Sequence, residues 1–217
     1  MMNLKDKVVA SLDVDPQRTF TKLCPKELVV EGGDEIVDAL NAQASVATYR
    51  VVSKDSHAPH AVWLTEDMSQ VAKPLEDNYP HADLKWMSHA MVGTEGWKLL
   101  PGLPAETEYD MIVYKGLEAS LHPYGACFHT QDMSVSTGLI EFFEAKSVDV
   151  VIVGGLAMEF CVMQTIRELA TSGKFDVVLN LEATRAVSPE GYESVLKEIE
   201  KMKAEGQRVS TVEKVEA

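Results

Sequence analysis

The stretch VVIVGGLAMEFCVMQTIREL, Val150 to Leu169, decides the fold. Together with the preceding residues it opens as the most apolar strand of the chain, Val148–Val153 (VDVVIV), which reads as buried on both faces. The pattern then changes. Val162, Ile166 and Leu169 fall on one helical face, with Met163 and Ala170 beside them, the spacing of an amphipathic helix. At the joint sits Cys161, just inside the first helical turn. Cysteine is often a small buried hydrophobe. A helix N-terminus, however, carries unsatisfied N–H groups and partial positive charge, and a thiol there ionises more readily to the nucleophilic thiolate. Position alone leaves both readings open.

The same alternation extends in both directions. Lys7–Asp13, Thr48–Ser53, Asp110–Tyr114 and Phe175–Leu181 read as strands, and Gln207–Val215 as an edge strand. Helical patterns fall at Gly33–Val46, near Ser136–Ala145, and at Pro189–Ala204, where proline suits the first turn. Strands alternating with helices imply βαβ units, hence an α/β fold: a three-layer α/β/α sandwich with a mostly parallel sheet of about six strands. At 217 residues the chain is expected to form one domain, residues 1–217. In such sheets the site lies beyond the C-terminal ends of the strands.

Composition narrows the function. A net charge of −14 argues against nucleic acid and anionic membranes as partners, because both would repel it. No apolar run approaches the roughly 20 residues of a membrane helix, and the start reads as a polar lead into a strand. Three widely spaced cysteines, Cys24, Cys127 and Cys161, fit a reducing compartment, so a cytoplasmic location is expected. The first two, Cys24 and Cys127, read as structural, and the last, Cys161, as the candidate nucleophile.

Several strand ends carry polar residues to one rim. The first ends in Asp13 and Asp15, the third in Lys115, and the most apolar one at the Cys161 turn. A thiol nucleophile needs a proton acceptor and a nearby cation, and these three rim positions supply both. Asp13 and Asp15 compete for the acceptor role. The long segment between Lys54 and Thr107 has little periodicity yet holds four of the six histidines, which favours a functional loop. Within it, Asp55 and His57 are two apart, so their side chains share one side of an extended segment, and His89 follows 32 residues later. Two imidazoles and a carboxylate suit a divalent transition metal with open positions. His60 competes as a ligand. His81, His122 and His129 read as surface or hydrogen-bonding residues.

Asp15-x-Gln17-x-x-Phe20, the following VEGGDEI, the lone Lys115 after a strand and GLAxEFCV at 155–162 together resemble the isochorismatase-like cysteine hydrolases over nearly the whole chain. The resemblance assigns catalysis to Asp15, Lys115 and Cys161. It also implies a cis peptide at Leu156–Ala157, aiming the N–H groups of Ala157 and Cys161 at a developing oxyanion. Asp55-x-His57 and Trp86-x-x-His89 resemble the nicotinamidase branch, which implies a metal at Asp55, His57 and His89, with Glu66 where some members add a fourth ligand. The implied metal is zinc first, with iron or manganese as alternatives. The implied reaction converts nicotinamide to nicotinate and ammonia through a Cys161 thioester, a step of NAD salvage, with Phe20 and Trp86 flanking the ring. Two alternatives remain: a metal-independent cysteine hydrolase of another small amide, carbamoyl compound or isochorismate-like substrate, and a catalytically silent binding protein. Self-association is left open. Three positions depart from the family: Thr19 replaces a common acid, Ser56 a frequent Trp and Ala90 a frequent Cys. HPYGACF at 122–128 matches its usual segment only in part.

Overall fold

A computed structural model describes residues 4–75 and 79–216. Six strands form one sheet: β1 (Val9–Val14), β2 (Tyr49–Asp55), β3 (Met111–Lys115), β4 (Val150–Gly155), β5 (Asp176–Thr184) and β6 (Val209–Val212). Their order is β3-β2-β1-β4-β5-β6, and every pairing is parallel. The helices are α1 (Val37–Ser45), α2 (Leu139–Ala145), α3 (Met163–Ser172) and α4 (Pro189–Ala204).

Side-chain alternation builds the layers. Ala10, Leu12 and Val14 of β1, Val151 and Val153 of β4, and Val177 and Leu179 of β5 share one core with Leu139 and Phe143 of α2, Ile166 and Leu169 of α3, and Val195 and Ile199 of α4. The opposite face carries α1, whose Ala39 and Leu40 pack with Ala183 and Leu156. Val9, Val150, Ile152 and Val178 also point to that side. Both faces of the sheet are therefore covered, which is why β4 could be apolar at every position.

The chain builds outward from β1 through β2 to β3, then returns to place β4 on the other flank of β1. That reversal is the switch point of a doubly wound sheet, where the loops leaving β1 and β4 part and open a crevice. Gly155 makes the parting: its φ is 127°, and a Cβ there would lie 1.9 Å from the carbonyl oxygen of Val14. Only glycine fits so close to the neighbouring backbone.

Differences from the sequence reading fall at element ends. The helix expected over Gly33–Val46 starts as a tight 3-10 turn, Gly33–Ile36, before α1. The one expected near Ser136 opens only at Leu139, after Gly138 at φ 87°. Pro189–Ala204 agrees at both ends, with the Ser188 hydroxyl accepting the Gly191 N–H at its N-cap. Ahead of α3 the chain forms a wide π-type turn, Met158–Val162, so Cys161 lies in that turn and not in the first α-helical turn. Such turns recur at functional sites. Among the described residues, no helix is long and apolar enough to cross a membrane.

Candidate active site

Asp15 is the first residue past β1, and its φ of 44° swings it out of the strand direction. Its N–H donates to the Ser53 carbonyl at 3.1 Å, and the Ser53 hydroxyl donates to Asp15 Oδ1 at 2.7 Å. Lys115 ends β3 and Asp55 ends β2, and the two are direct register partners. Cys161 comes from the turn after β4. All four side chains are buried. Their meeting point is the Lys115 ammonium: it lies 2.9 Å from Asp15 Oδ2, is ion-paired with Asp55 Oδ1, and stands 3.6 Å from Cys161 Sγ. Carboxylate oxygens of Asp15 and Asp55 and the Cys161 sulfur lie within 4.8 Å of one another. The Leu156–Ala157 peptide is cis, as the resemblance implies.

Electrostatics assign a protonation state to each group. Burial works against the charge on Lys115, but Asp15, Asp55 and Cys161 around it outweigh that and hold its pKa well above the ordinary value. Asp55 is buried too, yet Lys115 and then His57 keep it well below the carboxylate range. Asp15 goes the other way: burial raises it to about 6, Lys115 opposes the rise, and Asp55 adds to it. Burial also pushes the Cys161 thiol well up, with Lys115 opposing and Asp15 and Asp55 reinforcing. This corrects the expectation of an acidified cysteine. Two carboxylates and full burial outweigh one ammonium and a helix start, so the resting group is the thiol, beside a carboxylate able to take its proton.

Asp13 is not part of this cluster. It pairs with Arg50 at 2.8 Å and accepts from Tyr109 at 3.1 Å, and Gln43 of α1 reaches it and Ser11. Its role is in the sheet's α1 face.

The second constellation adjoins the first. Asp55 Oδ2 lies 3.5 Å from His57 Nε2 and 3.7 Å from His89 Nε2. His57 Nδ1 faces the Gly116 carbonyl at 3.3 Å, and His89 Nδ1 faces the Met87 carbonyl at 2.7 Å. A carbonyl can only accept, so each Nδ1 carries the hydrogen and each Nε2 keeps a lone pair turned towards Asp55. That tautomer, fixed by a carbonyl behind the ring, is the arrangement of metal-ligating histidines. His57 Nε2 is buried without a hydrogen-bond partner among the described residues. The donor set thus fits a divalent transition metal. Glu66 and His60 are exposed and absent from the groups whose ligand atoms converge.

One residue was misread. His122 is buried, with neither ring nitrogen partnered among the described residues, and its ligand atom lies within 4.8 Å of those of His57 and His89. Burial and the facing His57 and His89 hold it well below the ordinary histidine range, as neutral imidazole. Its apolar neighbour Leu121 and following Pro123 were the available signal. Phe20 is tilted against His89 at 6.1 Å, and Trp86 stacks on His122 at 6.0 Å, so both expected ring-flanking residues border this constellation.

The departures from the family are accommodated locally. The Thr19 hydroxyl donates to Glu27 at 2.5 Å, and both receive the Ala90 N–H, so Glu27 brings an acid to Thr19's side. Ser56 Oγ accepts the indole N–H of Trp97 at 2.8 Å, which brings a tryptophan from a distant part of the loop.

A wholly parallel, doubly wound sheet with a buried carboxylate, ammonium and thiol at its switch point defines the class: an α/β protein with a cysteine-centred polar site. Residues 10–214 match the isochorismatase domain, and the chain belongs to that family. It is 29% identical over 184 residues to a nicotinamidase of Acinetobacter baylyi, covering 84% of this chain and 83% of that protein. Among solved structures it is similar to a nicotinamidase/pyrazinamidase of Acinetobacter baumanii (TM-score 0.82, 23% identity, 96% of this chain and 97% of the other). It is also similar to the yeast nicotinamidase bound to the inhibitor nicotinaldehyde (TM-score 0.78, 23% identity, 94% and 100%). A pyrazinamidase of Pyrococcus horikoshii in complex with zinc superposes with a TM-score of 0.69 at 24% identity, covering 94% and 98%.

Proposed function

We propose that the protein is a nicotinamidase, hydrolysing nicotinamide to nicotinate and ammonia through a thioester on Cys161, with residues 1–217 acting as one hydrolase domain. The observation that carries this reading is the Lys115 ammonium, which touches Asp15, Asp55 and Cys161 at once and so joins the hydrolytic residues to the metal-type residues in one site. The similarity to a nicotinamidase over most of both chains supports the substrate.

Asp15 takes the Cys161 proton as the sulfur attacks the carboxamide carbon. The backbone N–H groups of Ala157 and Cys161 hold the oxyanion, and Lys115 adds positive charge where negative charge develops. The C–N bond breaks as Asp15 returns the proton to nitrogen, and ammonia leaves. A water that gives its proton to Asp15 then attacks the thioester carbon. The C–S bond breaks, the acid is released, and the sulfur recovers its proton from Asp15. Asp55, His57 and His89 would hold a divalent metal, zinc first by analogy with the zinc-bound relative; when bound it offers an open position for the ring nitrogen. Phe20 and Trp86 flank the ring.

Benzamide keeps the carboxamide and lacks the ring nitrogen. A site built to engage a polar atom rejects an analogue without it by roughly 10⁴-fold, against 10–200-fold for a missing methylene. The metal-loaded protein should therefore release ammonia from nicotinamide and hardly any from benzamide. Equal turnover of both would sink the ring-nitrogen role and move the activity to a broader cysteine amidohydrolase.

A further inference from the structure

We propose that His122 is a protein ligand of the divalent metal, making the site three imidazoles and one carboxylate: His57, His89, His122 and Asp55. The proposal deepens the metal reading above and rests on it. His122 lies outside the Asp55, His57 and His89 set that the family resemblance implies, and it reaches the site from a different segment, the one that follows β3.

Both sides of the peptide are anchored, so the ring is held where it is. The His122 N–H donates to the His81 carbonyl at 2.7 Å, and the His122 carbonyl accepts from Gln131 Nε2 at 3.0 Å. The preceding carbonyl, of Leu121, accepts the Trp63 indole at 3.1 Å. The following one, of Pro123, accepts from the Lys115 ammonium at 3.3 Å. The ring itself is stacked on His57 at 5.2 Å and 12°, with the edge of Trp63 at 4.6 Å. With 4% of its surface exposed, it holds both ring nitrogens buried and without a hydrogen-bond partner among the described residues. Buried polar atoms left unpaired destabilise a fold. His57 Nε2 has the same deficit a short distance away, and the ligand atoms of all three histidines lie within 4.8 Å of one another. Metal–nitrogen bonds of about 2.0–2.1 Å put two ligands on one ion within that range after a small closing movement. One ion satisfies every orphaned nitrogen that faces the centre.

The ligand count has a consequence. A tetrahedral ion with four protein ligands is closed, whereas a substrate site needs an open position. With His122 bound, the ion must be five- or six-coordinate to accept the ring nitrogen.

The test compares the wild type with His122→Phe, which keeps a ring to stack on His57, and with His122→Gln in case the phenylalanine variant fails to fold. Zinc affinity is measured by competition with a chromophoric chelator, and imidazoles per zinc are counted by X-ray absorption. Equal melting of the chelated proteins checks the fold. Losing a residue that only orients a ligand weakens metal affinity 10–100-fold, so losing a ligand should weaken zinc binding by about 100-fold or more. The imidazole count should fall from three to two. Tight zinc binding by the wild type with an unchanged count and affinity in the variants would overturn the role of His122 and leave the rest of the metal site standing. No zinc binding by the wild type would overturn both.

Discussion

Replacing Asp15 with asparagine should abolish turnover and at the same time stabilise the protein at neutral pH. Asp15 is fully buried, and its pKa is raised from the unfolded value near 3.8 to about 6. Its neutral form is thus favoured in the folded state. The stability it contributes is fully present below about pH 4 and is lost as pH rises through 6. A difference of about two units corresponds to roughly 3 kcal/mol at pH 7, an upper bound that relaxation around the charge reduces. Asparagine mimics the neutral carboxyl in shape, can still accept from the Ser53 hydroxyl, and leaves Lys115 its pair with Asp55. For a chain of this length, roughly 2–4 °C per kcal/mol places the gain in melting temperature at about 6–12 °C at most. The assay is thermal and denaturant unfolding of chelator-treated wild type and Asp15→Asn at pH 4 and pH 7.5, with ammonia release measured on the metal-loaded proteins. The stability difference should be near zero at pH 4 and favour asparagine at pH 7.5, while kcat/KM falls by roughly 10²–10⁴-fold or more. A variant less stable than wild type at pH 7.5, or one still turning over within tenfold, would refute the assignment of Asp15 as a strained base.

Four further outcomes follow from the same geometry. The double variant Asp15→Asn/Cys161→Ala should be no slower than Cys161→Ala alone, because residues acting as one unit do not add; multiplicative losses in kcat/KM would contradict shared action. Activity should fall on acidification through about pH 6 as Asp15 takes up a proton, and an acid limb near pH 4 would place the base elsewhere. Asp13→Asn should cost about 1–3 kcal/mol in unfolding experiments, since it removes the charge that pairs with the half-buried Arg50, yet leave the pH profile of kcat/KM unchanged. Gly155→Ala should lose at least about 2 kcal/mol through strain and the clash with Val14; native-like melting would remove the close approach at the switch point.

Much of the fold was legible because β4 and its helix carry unmistakable periods, and Asp15, Lys115 and Cys161 each sit where a strand ends. What the sequence could not carry was strand order and direction past the strand ends. The Asp55–Lys115 pair depends on β2 and β3 being register neighbours, which no local pattern records. Asp13 and Asp15 share a parity and looked interchangeable, but the chain leaves the strand at Val14 and Asp15 adopts a left-handed conformation, so the two acids part. His122 reads as a surface or hydrogen-bonding residue because a single histidine in an aperiodic loop carries no spacing. Its burial comes from Trp63, Trp86 and Tyr124, brought together only by folding. The thiol's protonation was misjudged for a related reason: a helix start is visible in sequence, whereas two converging carboxylates are not.

The central claim, covalent hydrolysis at Cys161, is tested most directly by acid-quenching the enzyme during turnover of nicotinamide and measuring the intact and peptide masses. A nicotinoyl group should appear on Cys161 as a hydroxylamine-labile adduct, absent from Cys161→Ala, which should release no ammonia. Ammonia release persisting in Cys161→Ala, with no adduct on the wild type under single-turnover conditions, would contradict it.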